Sequence, residues 1–246
     1  MSVEILLGDY RDTIGNVKAD LIFTSPPYNI GSKAKRKDGL RKLGKYDPKS
    51  YGSITDYPDS LDEDEYQSQQ VAFLNWAFDH LKKDGVLVYN HKPRRRDGRM
   101  IHPMEWFVKA PKMVLMEEVI WDRCSTHNHC SQLVWPHTER LYVLRRFDGQ
   151  YRFRNKPDMV FRSDIWRLPR ARANGHNAPF PIELAEEVVK AWSPRGGLVI
   201  DTYCGSGTTA VAARDLGRSF IGSEKMEKYH TLALERLGVE RLRNAV

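Results

Sequence analysis

Two apolar runs, Leu21-Ile22-Phe23 and Leu198-Val199-Ile200, constrain this chain more than any other feature, because each ends on a turn of specialised residues. The first passes through Thr24 into Ser25-Pro26-Pro27-Tyr28, and the second through Asp201 into Cys204-Gly205-Ser206-Gly207 and Thr208-Thr209. Short apolar runs of this kind read as buried strands, and open α/β sheets bind ligands at the carboxyl ends of such strands. Candidate strands are 3–7, 20–24, 85–90, 118–122, 141–145, 198–202 and 219–222. A helix is expected after Asp62, where Leu74, Ala77, Phe78 and Leu81 recur on one face, acidic residues crowd the first turn and Gly85 follows. Further helices are expected at 181–192, 208–216 and 226–237. Strands alternating with helices predict a mostly parallel sheet.

At 246 residues and 41% hydrophobic composition the chain suits one catalytic unit with a proper core. Its net charge of +7 is concentrated in basic runs at 33–49, 92–99 and 145–172, a pattern that suits a polyanionic partner, although each run alone also reads as a solvated loop. Three cysteines are too few for a disulfide framework, no secretory leader is recognised, and no apolar stretch approaches the ~20 residues that span a bilayer. A cytoplasmic protein is the expectation. Cys124, His127, His129 and Cys130 lie close together, but their spacing matches no paired-knuckle zinc site, so no metal is expected.

Two segments are irregular. Residues 31–60 are polar, basic and rich in Gly, Lys and Asp, and are read as a mobile loop ordering over substrate, with Lys33, Lys35 and Arg36 as candidate DNA contacts. Residues 147–177 interleave Arg152, Arg154, Arg162, Arg167, Arg170 and Arg172 with Tyr151, Phe153, Phe161 and Trp166. Arginines position phosphates and read guanine edges, whereas aromatics either stack on bases or fill a small core. This is the candidate target-recognition region.

In the second turn, Gly205 and Gly207 let the backbone bend sharply and approach a ligand, and Glu224, at the end of the next strand, is placed to accept from two ribose hydroxyls. Gly205, Gly207 and Ala210 also satisfy the dinucleotide pattern G-x-G-x-x-A, so an NAD-dependent oxidoreductase stays open; a P-loop does not, since no Lys stands in the required place. In the first turn, Pro26 and Pro27 fix φ and remove N–H donors, leaving carbonyls free to accept. The Ser25 hydroxyl and the Pro26 carbonyl then suit the two hydrogens of an exocyclic amine, with Tyr28 stacking on its ring. A plain strand-to-loop turn with a core tyrosine is the competing reading.

With these motifs the chain resembles the amino-methyltransferases of DNA in their permuted β-class order: amine motif first, recognition region in the middle, cofactor motif last. Leu7-Gly8-Asp9, residues 24–28 and 85–90, Trp121-Asp122, His137-Thr138-Glu139, and residues 176–181, 201–209 and 221–224 match in order over nearly the whole chain. The resemblance implies a permuted Rossmann-like, S-adenosylmethionine-dependent α/β fold with a mixed seven-stranded sheet and a small target-recognition insertion. It implies that Asp201, Gly205 and Gly207 cradle S-adenosylmethionine, Glu224 holds its ribose and Asp9 lies near its adenine. Asn177, Ala178, Pro179 and Phe180 should meet its methionine end, helped by Thr208 and Thr209, with Cys204 a small packing residue.

The implied reaction is direct displacement at the sulfonium methyl by the amine of a base flipped out of double-stranded DNA, with Ser25, Pro26, Pro27 and Tyr28 as the catalytic turn. Family members with Ser before Pro-Pro-Tyr resemble N4-cytosine enzymes, so N4 of cytosine is favoured over N6 of adenine. A structured RNA substrate and a basic binding module without turnover remain alternatives. The small recognition region leaves room for a homodimer, and a cognate restriction endonuclease is a partner of the kind the family implies.

Overall fold

The computed structural model describes residues 1–30, 59–96, 98–126, 134–156, 161–171 and 180–238. In chain order these form β1 (Val3–Leu7), α1 (Tyr10–Thr13), β2 (Ala19–Thr24), α2 (Glu63–His80), β3 (Leu81–His91), β4 (Arg94–Arg96), β5 (Arg99–Ile101) and α3 (Met104–Phe107). They continue with β6 (Met113–Asp122), β7 (Thr138–Arg146), β8 (Ile165–Arg167), α4 (Ile182–Trp192), β9 (Leu198–Asp201), α5 (Thr208–Asp215), β10 (Ser219–Glu224) and α6 (Glu227–Arg236). The main sheet has the order β1-β10-β9-β2-β3-β7-β6-β8, and β4 and β5 form a separate hairpin.

Strands β1, β10, β9, β2 and β3 are mutually parallel, and β7 runs antiparallel to both β3 and β6. The reversal of β7 brings its first residues, Thr138 and Glu139, to the edge where the parallel strands end. All seven expected strands are present. The sheet nevertheless has eight strands, not seven: Ile165–Arg167 adds a three-residue edge strand parallel to β6. Its arginine-rich surroundings and brevity hide it from periodicity.

β2 is buried at every position, as expected of a strand covered on both faces. On one side Phe23, Val88 and Val143 pack with Leu184, Val188 and Trp192 of α4 and Ala210 and Ala213 of α5. On the other, Ile22, Tyr89 and Tyr142 pack with Tyr66, Phe73 and Leu74 of α2 and Trp106 of α3. Asp62 caps α2 by accepting from Asp64 N–H at 3.0 Å, the role its position predicts. Leu81, expected on that helix, is the first residue of β3, so helix passes directly into strand.

The neighbours β9 and β2 stand where the chain's path across the sheet changes direction. That junction is the switch point at which open α/β sheets hold ligands, and both specialised turns leave the sheet there.

Candidate active site

The turn after β9 is organised from within. Asp201 is buried, and its carboxylate accepts from Thr24 Oγ1 at 2.8 Å, Thr209 Oγ1 at 2.8 Å and Tyr203 N–H at 3.1 Å. Burial pushes its pKa up to about 6 despite these donors. Gly205 and Gly207 have φ of 52° and 75°, and a Cβ on Gly207 would stand 2.9 Å from Ala233 Cβ, so the tight approach of α6 requires glycine. The Gly205 N–H donates to Glu224 Oε2 at 2.9 Å and the Met226 N–H to Glu224 Oε1 at 2.8 Å. Burial raises the Glu224 pKa. Thr208 Oγ1 is 3.1 Å from Arg236 Nη1.

Cys204 is buried and its thiol is pushed well up, first by burial and then by Asp201 and Glu224. A Cβ on Gly222 would lie 2.1 Å from its Sγ. Both facts describe a packed side chain rather than a reactive thiolate. Asp9 caps α1 and lies beside β10, since Gly8 N–H donates to Glu224 O at 2.9 Å. Hydrogen bonds from Arg11 and an ion pair with Lys225 at 3.0 Å hold the Asp9 carboxyl well below the usual carboxylate range.

The turn after β2 is held by residues from three other elements. Ser25 Oγ lies 3.1 Å from both Asn90 Oδ1 and Tyr28 Oη. Tyr28 donates its one proton among Asn90 Oδ1 and Glu139 Oε2, the latter at 3.0 Å. Glu139 Oε1 in turn accepts from Arg123 Nη1 at 2.9 Å, and Asn90 Nδ2 donates to Arg140 O at 3.1 Å. Burial pushes the Tyr28 phenol well above its ordinary pKa, with Glu139 adding to the shift, so it stays protonated. Behind the turn, Tyr66 Oη is 2.9 Å from Pro27 O and 2.8 Å from His91 Nε2. His91 Nδ1 is 2.7 Å from Lys92 O, which assigns the proton to Nδ1, and burial holds the ring neutral. The His91 and Tyr28 rings meet at 4.5 Å. Asn29, at φ 53°, turns the chain so that Ile30 N–H reaches Asp59 at 3.1 Å.

The structure therefore joins Ser25, Pro26, Pro27 and Tyr28 to Asp201 through Thr24, and places Gly205, Gly207, Thr208, Thr209, Glu224 and Asp9 on the same edge of the sheet. Phe180 stacks on Phe23 at 5.1 Å, one side of the strand that leads to Ser25. Sequence reading counted Lys92 in a basic run and Asn90 and Glu139 in matching segments, but named none of them, nor His91 and Arg123, as site residues. The visible signal was polarity breaking into apolar runs, at the end of β3 and the start of β7.

The basic residues divide. Arg154 Nη2 pairs with Asp84 Oδ2 at 2.6 Å, ahead of the parallel core of β3 and at the opposite end of the sheet from Ser25. Arg94 and Arg96 pair with Glu63, and Arg99 with Glu105. Arg167 is 76% exposed, with a 3.7 Å contact to Asp122, and Arg152 and Arg162 are exposed. Arg170 is half-buried near Lys92, whose pKa is lowered first by burial and then by Arg123 and Arg170. Of the aromatic residues among these arginines, Trp166 stacks on Trp192 at 6.2 Å, Phe161 meets Trp166 at 5.1 Å and Tyr151 accepts from Trp192 Nε1 at 3.2 Å, so they build core. Lys33, Lys35, Arg36, Arg172, Asn177, Ala178, Pro179 and nearly all of the 31–60 loop lie outside the described residues, as do His127, His129 and Cys130. No helix among the described residues is long and apolar enough to cross a membrane.

A glycine turn with an acid on the following strand, set beside an acceptor-bearing Pro-Pro-Tyr turn at one switch point, defines a methyltransferase-type site. The DNA methylase family model, that of the N6 and N4 amino-methyltransferases, matches residues 19–235, and the chain belongs to that family. M.ScaI, a type II methyltransferase of Streptomyces caespitosus, is 26% identical over 254 residues, 90% of this chain and 75% of the relative. TTHA0409 of Thermus thermophilus, solved in complex with S-adenosyl-L-methionine, aligns with a TM-score of 0.66 at 25% identity over 98% of this chain and 97% of that one. The cytosine-N4-specific PvuII DNA methyltransferase aligns with a TM-score of 0.72 at 18% identity over 100% and 89%, a likeness of fold. The protein is thus an S-adenosylmethionine-dependent DNA amino-methyltransferase.

Proposed function

We propose that this chain methylates N4 of a cytosine flipped out of duplex DNA, with Ser25 Oγ and Pro26 O accepting from the amine and Tyr28 stacking on the base. The observation that carries this reading is the bond between Thr24 and Asp201, which sets the Ser25 turn against the glycine turn. Ser25 puts a neutral hydroxyl at this position, which the family resemblance associates with cytosine. Its neighbours Asn90 and Tyr28 hold the hydroxyl in place from inside the fold.

The residues present fit the cofactor. The left-handed Gly205 and Gly207 leave backbone open to a ligand, and Glu224 retains lone pairs on both oxygens after accepting from Gly205 and Met226, enough for two ribose hydroxyls. Asp9, beside Glu224, would meet the adenine of the cofactor, and Phe180, Thr208 and Thr209 would meet its methionine end. Asp201 is the internal brace of this cradle, with its lone pairs turned onto Thr24, Thr209 and Tyr203. When bound, S-adenosylmethionine supplies an electrophilic methyl. Ser25 and Pro26 would orient the amine lone pair toward that methyl and would favour the positive charge that nitrogen takes on as the methyl passes to it from sulfur. The amine then loses one proton to solvent. Arg167, Arg170 and the arginines and lysines flanking the site are assigned to the phosphates of the duplex.

The test is product identity. Protein, radiolabelled S-adenosylmethionine and unmethylated duplex DNA are incubated and the DNA is digested to nucleosides. Label in N4-methylcytosine is the expected result; label in N6-methyladenine overturns the assignment to cytosine.

A further inference from the structure

We propose that Lys92 reads the pyrimidine edge of the target base, donating from its ammonium to N3 and O2 of a cytosine whose amine rests on Ser25 and Pro26. The proposal deepens the reading above and rests on it. Lys92 lies one residue beyond the end of β3 and two after Asn90, the amide that holds Ser25 and Tyr28. Its Nζ lies over the Tyr28 ring, 5.3 Å from the centroid. The side chain is only 23% exposed.

What sets this ammonium apart is that its donors are uncommitted. Its ion-pair partner among the described residues, Glu139 Oε1, is 3.8 Å away and already accepts from Arg123 at 2.9 Å, while Oε2 and Asn90 Oδ1 share the Tyr28 proton. Arg123 also donates from Nε to the carbonyl of His137 and from Nη2 to that of Pro136. Lys92 makes no hydrogen bond from Nζ among the described residues. A charged group that is mostly withdrawn from water and lacks hydrogen bonds is costly unless an acceptor completes it. The family's substrate brings such acceptors to the face of Tyr28.

The chemistry distinguishes the two candidate bases. Next to its amine, cytosine presents N3 and then the carbonyl O2, both acceptors; adenine presents N1 and then a C–H. A three-donor ammonium on a flexible stem can move from the ring face to the edge of an incoming base and bridge N3 and O2. Against adenine half of that contact is missing, and the hydrogen bond lost is charge-assisted. A loss on the order of tenfold or more follows from removing either partner.

The experiment is a double-mutant cycle between protein and base. The wild-type product is identified first and its position in the DNA mapped. Wild type and Lys92→Met are then compared by kcat/KM on that duplex and on one whose target cytosine is replaced by its O2-less analogue, a 2-aminopyridine C-nucleoside. Calorimetry with S-adenosylmethionine alone checks that the cofactor site is intact. The expected result is that Lys92→Met costs about tenfold or more and loss of O2 about tenfold, that loss of O2 adds little in the Lys92→Met protein, where its partner is already gone, and that Lys92→Arg recovers much of the loss. Losses that multiply, or a Lys92→Met rate equal to wild type, overturn the role of Lys92 and leave the cytosine reading standing. Should Lys92→Met lose cofactor affinity, Lys92→Gln takes its place in the same cycle. A wild-type product of N6-methyladenine overturns the cytosine reading itself, and the Lys92 role with it.

Discussion

Thr24 Oγ1 donates to Asp201 Oδ1 at 2.8 Å, so the strand that delivers the Pro-Pro-Tyr turn and the strand that delivers the glycine turn are bonded side chain to side chain at the point where both leave the sheet. The same carboxylate accepts from Thr209 at the start of α5 and from Tyr203 in the turn itself. One buried acid thereby fixes the spacing between the two halves of the site.

That acid should be visible in the pH dependence of stability. Its pKa is raised from 3.8 to about 6, so the native state binds a proton more tightly than the unfolded chain. Its contribution is therefore most favourable at low pH and is lost as pH rises from about 4 to about 6, a change of about 3 kcal/mol. Denaturant titrations of wild type and Asp201→Asn across this range are expected to differ by that slope, with the asparagine variant flatter.

Tyr66 supports the turn after β2 from behind, with one hydroxyl between Pro27 O and His91 Nε2. Tyr66→Phe removes the one proton that serves these two buried acceptors and is expected to cost about 1–3 kcal/mol in urea unfolding. Methyl transfer should fall through kcat, while calorimetric affinity for S-adenosylmethionine stays the same.

Cys204 and Gly222 are expected to behave as a packing pair. Gly222→Ala forces a methyl against Cys204 Sγ and should destabilise by about 1–3 kcal/mol. Cys204→Ala should keep methyl transfer within about threefold of wild type, because a buried thiol held protonated takes no part in it. Combining the two should recover part of the stability lost in Gly222→Ala alone, read by thermal unfolding.

The arginines of the recognition region should separate in a salt titration of DNA binding. Arg167→Ala is expected to lower the slope of log affinity against log salt by about 0.9, the loss of one phosphate contact. Arg154→Ala, whose partner is Asp84 at the far end of the sheet, should leave that slope unchanged.

Most of the fold is legible in the sequence because its signals are local: the apolar runs of β2 and β9, the acidic first turn of α2 and the glycines before α5. The brace made by Asp201 is not, since its donors Thr24 and Thr209 meet it only once β2 has paired with β9. The same holds for Tyr28, whose partners Asn90 and Glu139 come from β3 and from the reversed β7. The interleaved arginines and aromatics of 147–177 suggest one surface, yet Trp166 and Phe161 turn into the core and Arg154 turns toward Asp84; composition carries no information about which way each side chain faces.

The most direct measurement is a pair of assays on Ser25→Ala, in which calorimetry reports S-adenosylmethionine binding and label transfer to unmethylated duplex DNA reports chemistry. If the turn after β2 accepts the amine while the turn after β9 holds the cofactor, binding stays at the wild-type level and transfer falls by about a hundredfold or more. Transfer at the wild-type rate with binding intact would contradict the assignment of the amine to Ser25.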